Sequence, residues 1–169
     1  MHLRTDQAAA DCPECGAAAA VPCAELFDRV LALDHSRAAP WGPLHGVVVC
    51  CYRLQHPSTF AVGQEQTMLD LLRTYRDGGP QALDRWTAGA RRANSHRRST
   101  TSSGPQPSKP AQTAPGPEVA AEHRTTRERR AGRFDVTIAD VAVDGTFPAH
   151  GHADRVRAWA QATLRGWQG

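Results

Sequence analysis

Cys12-Pro13-Glu14-Cys15-Gly16 is the part of the sequence with the clearest chemistry. Two thiolates separated by two residues on a tight turn can bind one cation, and Gly16 supplies the positive-φ conformation that such knuckles use. Cys23 follows shortly afterwards, at the start of a helical pattern, where the positive end of the helix dipole favours a thiolate. Three sulfur ligands call for a fourth from further along the chain. His45, near the start of the next helix, is the best placed by order and helical face, so the expected set is Cys12, Cys15, Cys23 and His45 around Zn2+. A single CxxC is also compatible with an exposed turn of free thiols or with a redox pair, although no thioredoxin-like strand precedes it.

His56 and His152 make up a possible second site. On a continuous helix, His45 and His56 share a face but stand about 16 Å apart at 1.5 Å per residue, too far to hold one ion. Either the helix breaks near Gln55 or His56 belongs to a different site. A pocket lined by Tyr52, His56 and His152 could hold a catalytic metal or move protons near neutral pH, with Tyr52, His56 and Cys50 as the catalytic candidates. The plainer reading is hydrogen-bonded core histidines. Cys50 and Cys51 are adjacent and point different ways on a helix, so core packing suits them better than shared ligation.

The elements that must position these residues are helical. Cys23, Leu26, Phe27, Val30, Leu31 and Asp34 fall on one face after Pro22, a face that is apolar except at Asp34. Leu44 to Gln55 has two apolar sides and stops at Pro57, as a central helix would. A third helix is expected from Gly63 to Asp77, ended by Gly78-Gly79-Pro80, and a short fourth from Gln81 to about Ala90. Thr137 and Asp140 read as an N-cap with a first-turn acid for a short helix, Ile138 to Val143. In the last helix His152, Val156, Trp159, Ala160, Thr163, Leu164 and Trp167 share a face.

Between these blocks, residues 91–133 contain no Leu, Ile, Phe, Trp or Tyr, and Ser, Thr, Pro and Arg dominate. Such a stretch cannot bury enough apolar surface to offset chain entropy, and it is expected to be a disordered linker. It holds ten of the twenty Lys and Arg against three acids, a net +7, which leaves the remainder with ten against fourteen, a net −4. The basic insert could touch nucleic-acid phosphates, but it lacks aromatics for base stacking, so a solvated linker is the preferred reading. The organisation expected is 1–90 as knuckle and helices, 91–133 as linker, and 134–169 as helices packing back on the same domain.

The 169 residues suit one domain. No run of about 18 apolar residues exists and the N-terminus lacks the pattern of a secretory signal, so a cytoplasmic protein without a membrane span is expected. In a reducing compartment five Cys point to metal or redox chemistry rather than to a disulfide framework. Oligomeric state is not legible from these features.

Several strings together resemble an uncharacterised bacterial family, a domain of unknown function: CPECG, Cys23-x-x-x-Phe27, Leu44-His45, Tyr52-x-Leu54-Gln55-His56-Pro57, Thr137 to Val141 (TIADV), and His152 followed by Val156, Ala158, Trp159 and Ala160. The resemblance spans roughly residues 12–85 and 134–167, and YRLQHP is its most specific element. It implies a compact helical domain with metal ligands and no assigned activity, and by position it supports Cys12, Cys15, Cys23, His45, His56 and His152. The chain departs from the family pattern at Cys50, where relatives usually carry Asp.

The fold expected is all-α, a bundle of about five to six helices with a Cys-rich N-terminal arm and a long insert. The leading functional expectation is a zinc-stabilised binding or interaction module. A hydrolase-like metalloenzyme at His56/His152 comes second, and a nucleic-acid accessory protein using the insert third.

Overall fold

The computed structural model describes residues 11–100 and 132–168, the side chains of 90–100 excepted. Five helices carry the fold: α1 (Cys23–His35), α2 (His45–Gln55), α3 (Glu65–Thr100), α4 (Ile138–Val141) and α5 (His152–Gly166). Single 3-10 turns at Gly42–Leu44 and Pro57–Thr59 flank α2. Among the described residues the only β pairing is an isolated bridge between Val143 and Thr146. The architecture is the all-α bundle that the apolar periodicity predicts.

Helix α2 is central because it is apolar on two sides. It packs against α1, α3 and α5, and buries Val47, Val48, Cys50, Cys51, Tyr52, Leu54 and Gln55. On α1 the buried stripe is Cys23, Leu26, Val30 and Asp34, which is the predicted face with its one acid included. The third and fourth expected helices are joined as α3, which departs from helical geometry at Gly79 (φ 66°, ψ −165°) just before Pro80. Glycine permits that φ, and a residue before proline is driven out of the α region, so the Gly-Pro pair makes a kink where two separate helices were expected. The helix continues to Thr100, ten residues into the expected linker; the rest of that linker, 101–131, lies outside the described residues.

The C-terminal segment begins with a capping box. Thr137 accepts from the Ala139 N–H, and its own backbone N–H donates to Asp140 Oδ2 at 2.7 Å. Helix α5 then lays Val156, Trp159, Ala160, Thr163 and Leu164 against α2 and α3. Gln55, fully buried at the end of α2, fastens the two halves: its amide donates to the Val136 carbonyl (2.9 Å) and Thr163 Oγ1 (3.0 Å) and accepts from Trp159 Nε1 (2.9 Å). Arg155 binds the turn preceding α5, donating to the carbonyls of Val141, Pro148 and His150.

Candidate metal centre

The N-terminal arm folds into a knuckle. Cys12 and Ala17 are joined by an N–H to carbonyl bond of 2.8 Å, and the Gly16 N–H returns to the Cys12 carbonyl, also at 2.8 Å. Gly16 adopts φ +77°, the left-handed conformation that its sequence position suggests. It is also pressed against Arg133, whose Cγ would lie 2.6 Å from any Cβ at this position. Next to it the Phe134 N–H donates to the Cys15 carbonyl at 3.2 Å, so the knuckle is braced by the start of the C-terminal segment.

Cys12, Cys15, Cys23 and His56 converge. Their ligand atoms all lie within 4.8 Å of one another, and among the described residues this is the only group of three or more potential ligands so placed. Cys15 Sγ and Cys23 Sγ are 3.7 Å apart, and Cys12 Sγ is 3.6 Å from His56 Nε2. The three thiols come together as expected, but the fourth member is His56. His45 stands at the other end of α2, with Nδ1 3.3 Å from Asp34 Oδ2.

Proline chemistry accounts for the position of His56. Pro57 ends α2 and forces the residue before it out of the helical region, and His56 sits at φ −127°, ψ 76°. Off the helix, the ring turns back so that Nδ1–H donates to the Tyr52 carbonyl at 2.8 Å. A carbonyl can only accept, so the proton of the neutral ring resides on Nδ1 and Nε2 offers its lone pair to the thiols. Tyr52 stacks on His56 on one side (centroids 4.2 Å) and on Phe27 of α1 on the other (3.8 Å, 4° between planes), which fixes the imidazole plane. Glu14, at the knuckle tip, accepts from both the backbone N–H and the hydroxyl of Ser58 at 2.8 Å. These two hydrogen bonds hold the arm against the turn following His56.

Close packing holds protons on two members of the cluster, Cys15 and His56. The Cys15 thiol is pushed up to about 12, chiefly by its contact with Cys23 and then by burial. Burial works against a charge on His56, but the Cys15 thiol and the Tyr52 carbonyl outweigh it and push its pKa up to about 9. A divalent cation would displace these protons, so binding would be linked to proton release. Three soft sulfur donors and one imidazole, all buried except half-buried Cys12, are a donor set that can hold a metal ion.

A family model described as a family of unknown function, DUF5946, matches residues 10–168. The chain belongs to that family. No curated protein and no solved structure matches it. For DUF5946 in this chain, the matched span contains every residue of the cluster.

The other expected site residues are apart from it. His152 is fully buried, with its nearest aromatic rings those of Trp41 and Phe147, each 6.3 Å away between centroids. His56 and His152 share no ligand group among the described residues. Cys50 and Cys51 are buried on α2, and burial pushes the Cys50 thiol up to about 12, so it is a neutral packing group. Tyr52 holds His56 in place through its ring and carbonyl. The signal that could have selected His56 over His45 was the His-Pro pair at a helix end, because a pre-proline histidine is released from the helix axis and can turn toward another element.

Among the described residues no helix is long and apolar enough to cross a membrane.

Proposed function

We propose that this DUF5946 chain is a zinc-stabilised helical module, with Zn2+ held by Cys12, Cys15, Cys23 and His56 and acting mainly as a structural clip. One observation carries the reading. A tetrahedral zinc with Zn–S of about 2.3 Å and Zn–N of about 2.05 Å has S···S edges of about 3.8 Å and S···N edges of about 3.6 Å. The Cys15–Cys23 and Cys12–His56 edges are 3.7 Å and 3.6 Å, and all six edges lie within 4.8 Å. Four protein ligands leave no position for substrate, as in structural sites.

The ion would join the arm (Cys12, Cys15), the start of α1 (Cys23) and the end of α2 (His56), adding to the Glu14–Ser58 hydrogen bonds and the Phe27–Tyr52 stack that already link these segments. The role fitted to such a clip is to keep a helical surface in shape for binding a partner. A thiolate site is compatible with a reducing compartment, so this reading puts the protein in the cytoplasm. The expected organisation, residues 1–90 and 134–169 sharing one core around the insert, accords with Gln55 and Trp159 bonding across it.

Metal analysis of the purified chain with X-ray absorption at the metal edge tests the proposal. Three sulfur neighbours at about 2.3 Å and one nitrogen at about 2.0–2.1 Å are expected. A shell of nitrogen and oxygen alone would reject it.

A further inference from the structure

The five cysteines of the chain divide by access as well as by place. Cys50 and Cys51 are buried on α2 and take no part in the thiolate cluster. Of the three that do, Cys15 and Cys23 are buried and Cys12 is half-buried, so Cys12 is the sulfur that a small solute reaches first. Its neighbours supply the rest of a reaction path. Cys15 and Cys23 belong with it to a group whose ligand atoms all lie within 4.8 Å of one another, near enough for side-chain movement to bring two sulfurs to the S–S separation of about 2.05 Å. Cys15 is three positions on in the same turn, which the Gly16 N–H closes on the Cys12 carbonyl at 2.8 Å. A bond from Cys12 to Cys15 therefore closes a shorter loop than one to Cys23, at a smaller cost in chain entropy.

The donor set gives such a bond a consequence. Sulfur ligates a metal as thiolate, and three of the four donors here are sulfur. Tying up two of them as a disulfide leaves Cys23 and His56, too few for a closed tetrahedral shell. The arm is then held by the Glu14 bonds to Ser58, which are exposed, and by the Phe134 N–H on the Cys15 carbonyl. Hydrogen bonds that compete with water contribute little net stability.

We propose that Cys12 is an oxidative modification site at which a hydroperoxide opens the zinc clip. The inference rests on the zinc reading above and adds its regulation. The Cys12 thiolate attacks one peroxide oxygen, the O–O bond breaks, Cys12 becomes a sulfenic acid, and the departing alkoxide or hydroxide takes a proton from water. The Cys15 thiolate then attacks the Cys12 sulfur, the S–O bond breaks, and hydroxide leaves to be protonated in turn. Two thiolates have passed two electrons to the peroxide, a Cys12–Cys15 disulfide has formed, and Zn2+ is released. A dithiol reductant returns the two electrons by exchange and restores the site.

The test treats the zinc-loaded full chain with hydrogen peroxide beside a chromophoric zinc indicator, followed by thiol alkylation and peptide mass spectrometry. One zinc released per chain, two of the five thiols lost and a Cys12–Cys15 crosslink are expected. Dimedone added during the reaction should tag Cys12 and neither Cys15 nor Cys23. The oxidised chain should melt at the temperature of the chelator-treated one, and dithiothreitol with zinc should restore the original melt. Cys50→Ala, outside the cluster, should release zinc at the wild-type rate. Because Cys12→Ser would remove a ligand along with the point of entry, the dimedone tag on the wild type makes the assignment. Zinc retained under excess peroxide overturns the proposal, as does a tag or crosslink that omits Cys12. Metal content measured before peroxide is added reads the clip by itself: a chain that binds no zinc refutes both readings, and one that keeps its zinc through the treatment refutes only the oxidation.

Discussion

Cys12 Sγ and His56 Nε2 stand 3.6 Å apart across 44 positions of sequence. One residue sits on an arm without helical structure and the other just past the end of a helix, so the contact decides how the arm is tied to the bundle.

If a metal makes that tie, removing it should unfold more than the arm. Because the ligands are assembled only in the folded chain, metal-binding energy is folding energy. A loss of several kcal/mol corresponds to a Tm fall on the order of 10 °C, at about 2–4 °C per kcal/mol for a chain of this size. A strong chelator should produce that fall in the wild type, and Cys15→Ser or His56→Ala should produce it without chelator. An unchanged calorimetric melt after verified metal removal would reject the structural role.

Gly16→Ala should damage the same site without touching a ligand. Alanine at φ +77° is strained by roughly 1–2 kcal/mol, and its Cβ would collide with Arg133. Weaker metal retention in competition with a chromophoric chelator and a lower Tm are both expected. A variant equal to the wild type in both would show that the knuckle tolerates another backbone path.

Gln55→Leu probes the join between the two halves of the chain. It strands the Trp159 N–H and the Val136 carbonyl around a fully buried position, at a cost of about 3 kcal/mol. Denaturant unfolding followed by tryptophan fluorescence reads that loss. A change under 1 kcal/mol would mean that the network adds little.

His152 predicts an acid limb. Burial holds its pKa down to about 4, with Arg155 contributing, against an ordinary value near 6.5. Below pH 6.5 the unfolded chain takes up a proton that the folded chain refuses, so stability falls from about pH 6.5 to pH 4 and is unaffected by this group above that window. The shift amounts to roughly 3 kcal/mol. His152→Phe should flatten this limb relative to the wild type in Tm measured against pH; parallel curves would exclude His152 as its source.

Much of the fold was legible in the residues. The apolar period marked α1 with Asp34 included, Pro57 marked the end of α2, Thr137 and Asp140 marked a cap, and the face of α5 came out as His152, Val156, Trp159, Ala160, Thr163 and Leu164. These are local properties, set by propensity and by which side of one helix must avoid water.

The sequence by itself therefore determined the helices, the knuckle and three sulfur donors, because each depends on neighbours within a few residues. Tertiary structure alone decided that His56 rather than His45 faces the thiols. Both histidines lie on the same helix face by count, and the choice depends on which end of α2 the arm reaches. That is settled by Glu14 on Ser58 and by Phe134 on Cys15, contacts between segments far apart in the chain that no local pattern encodes.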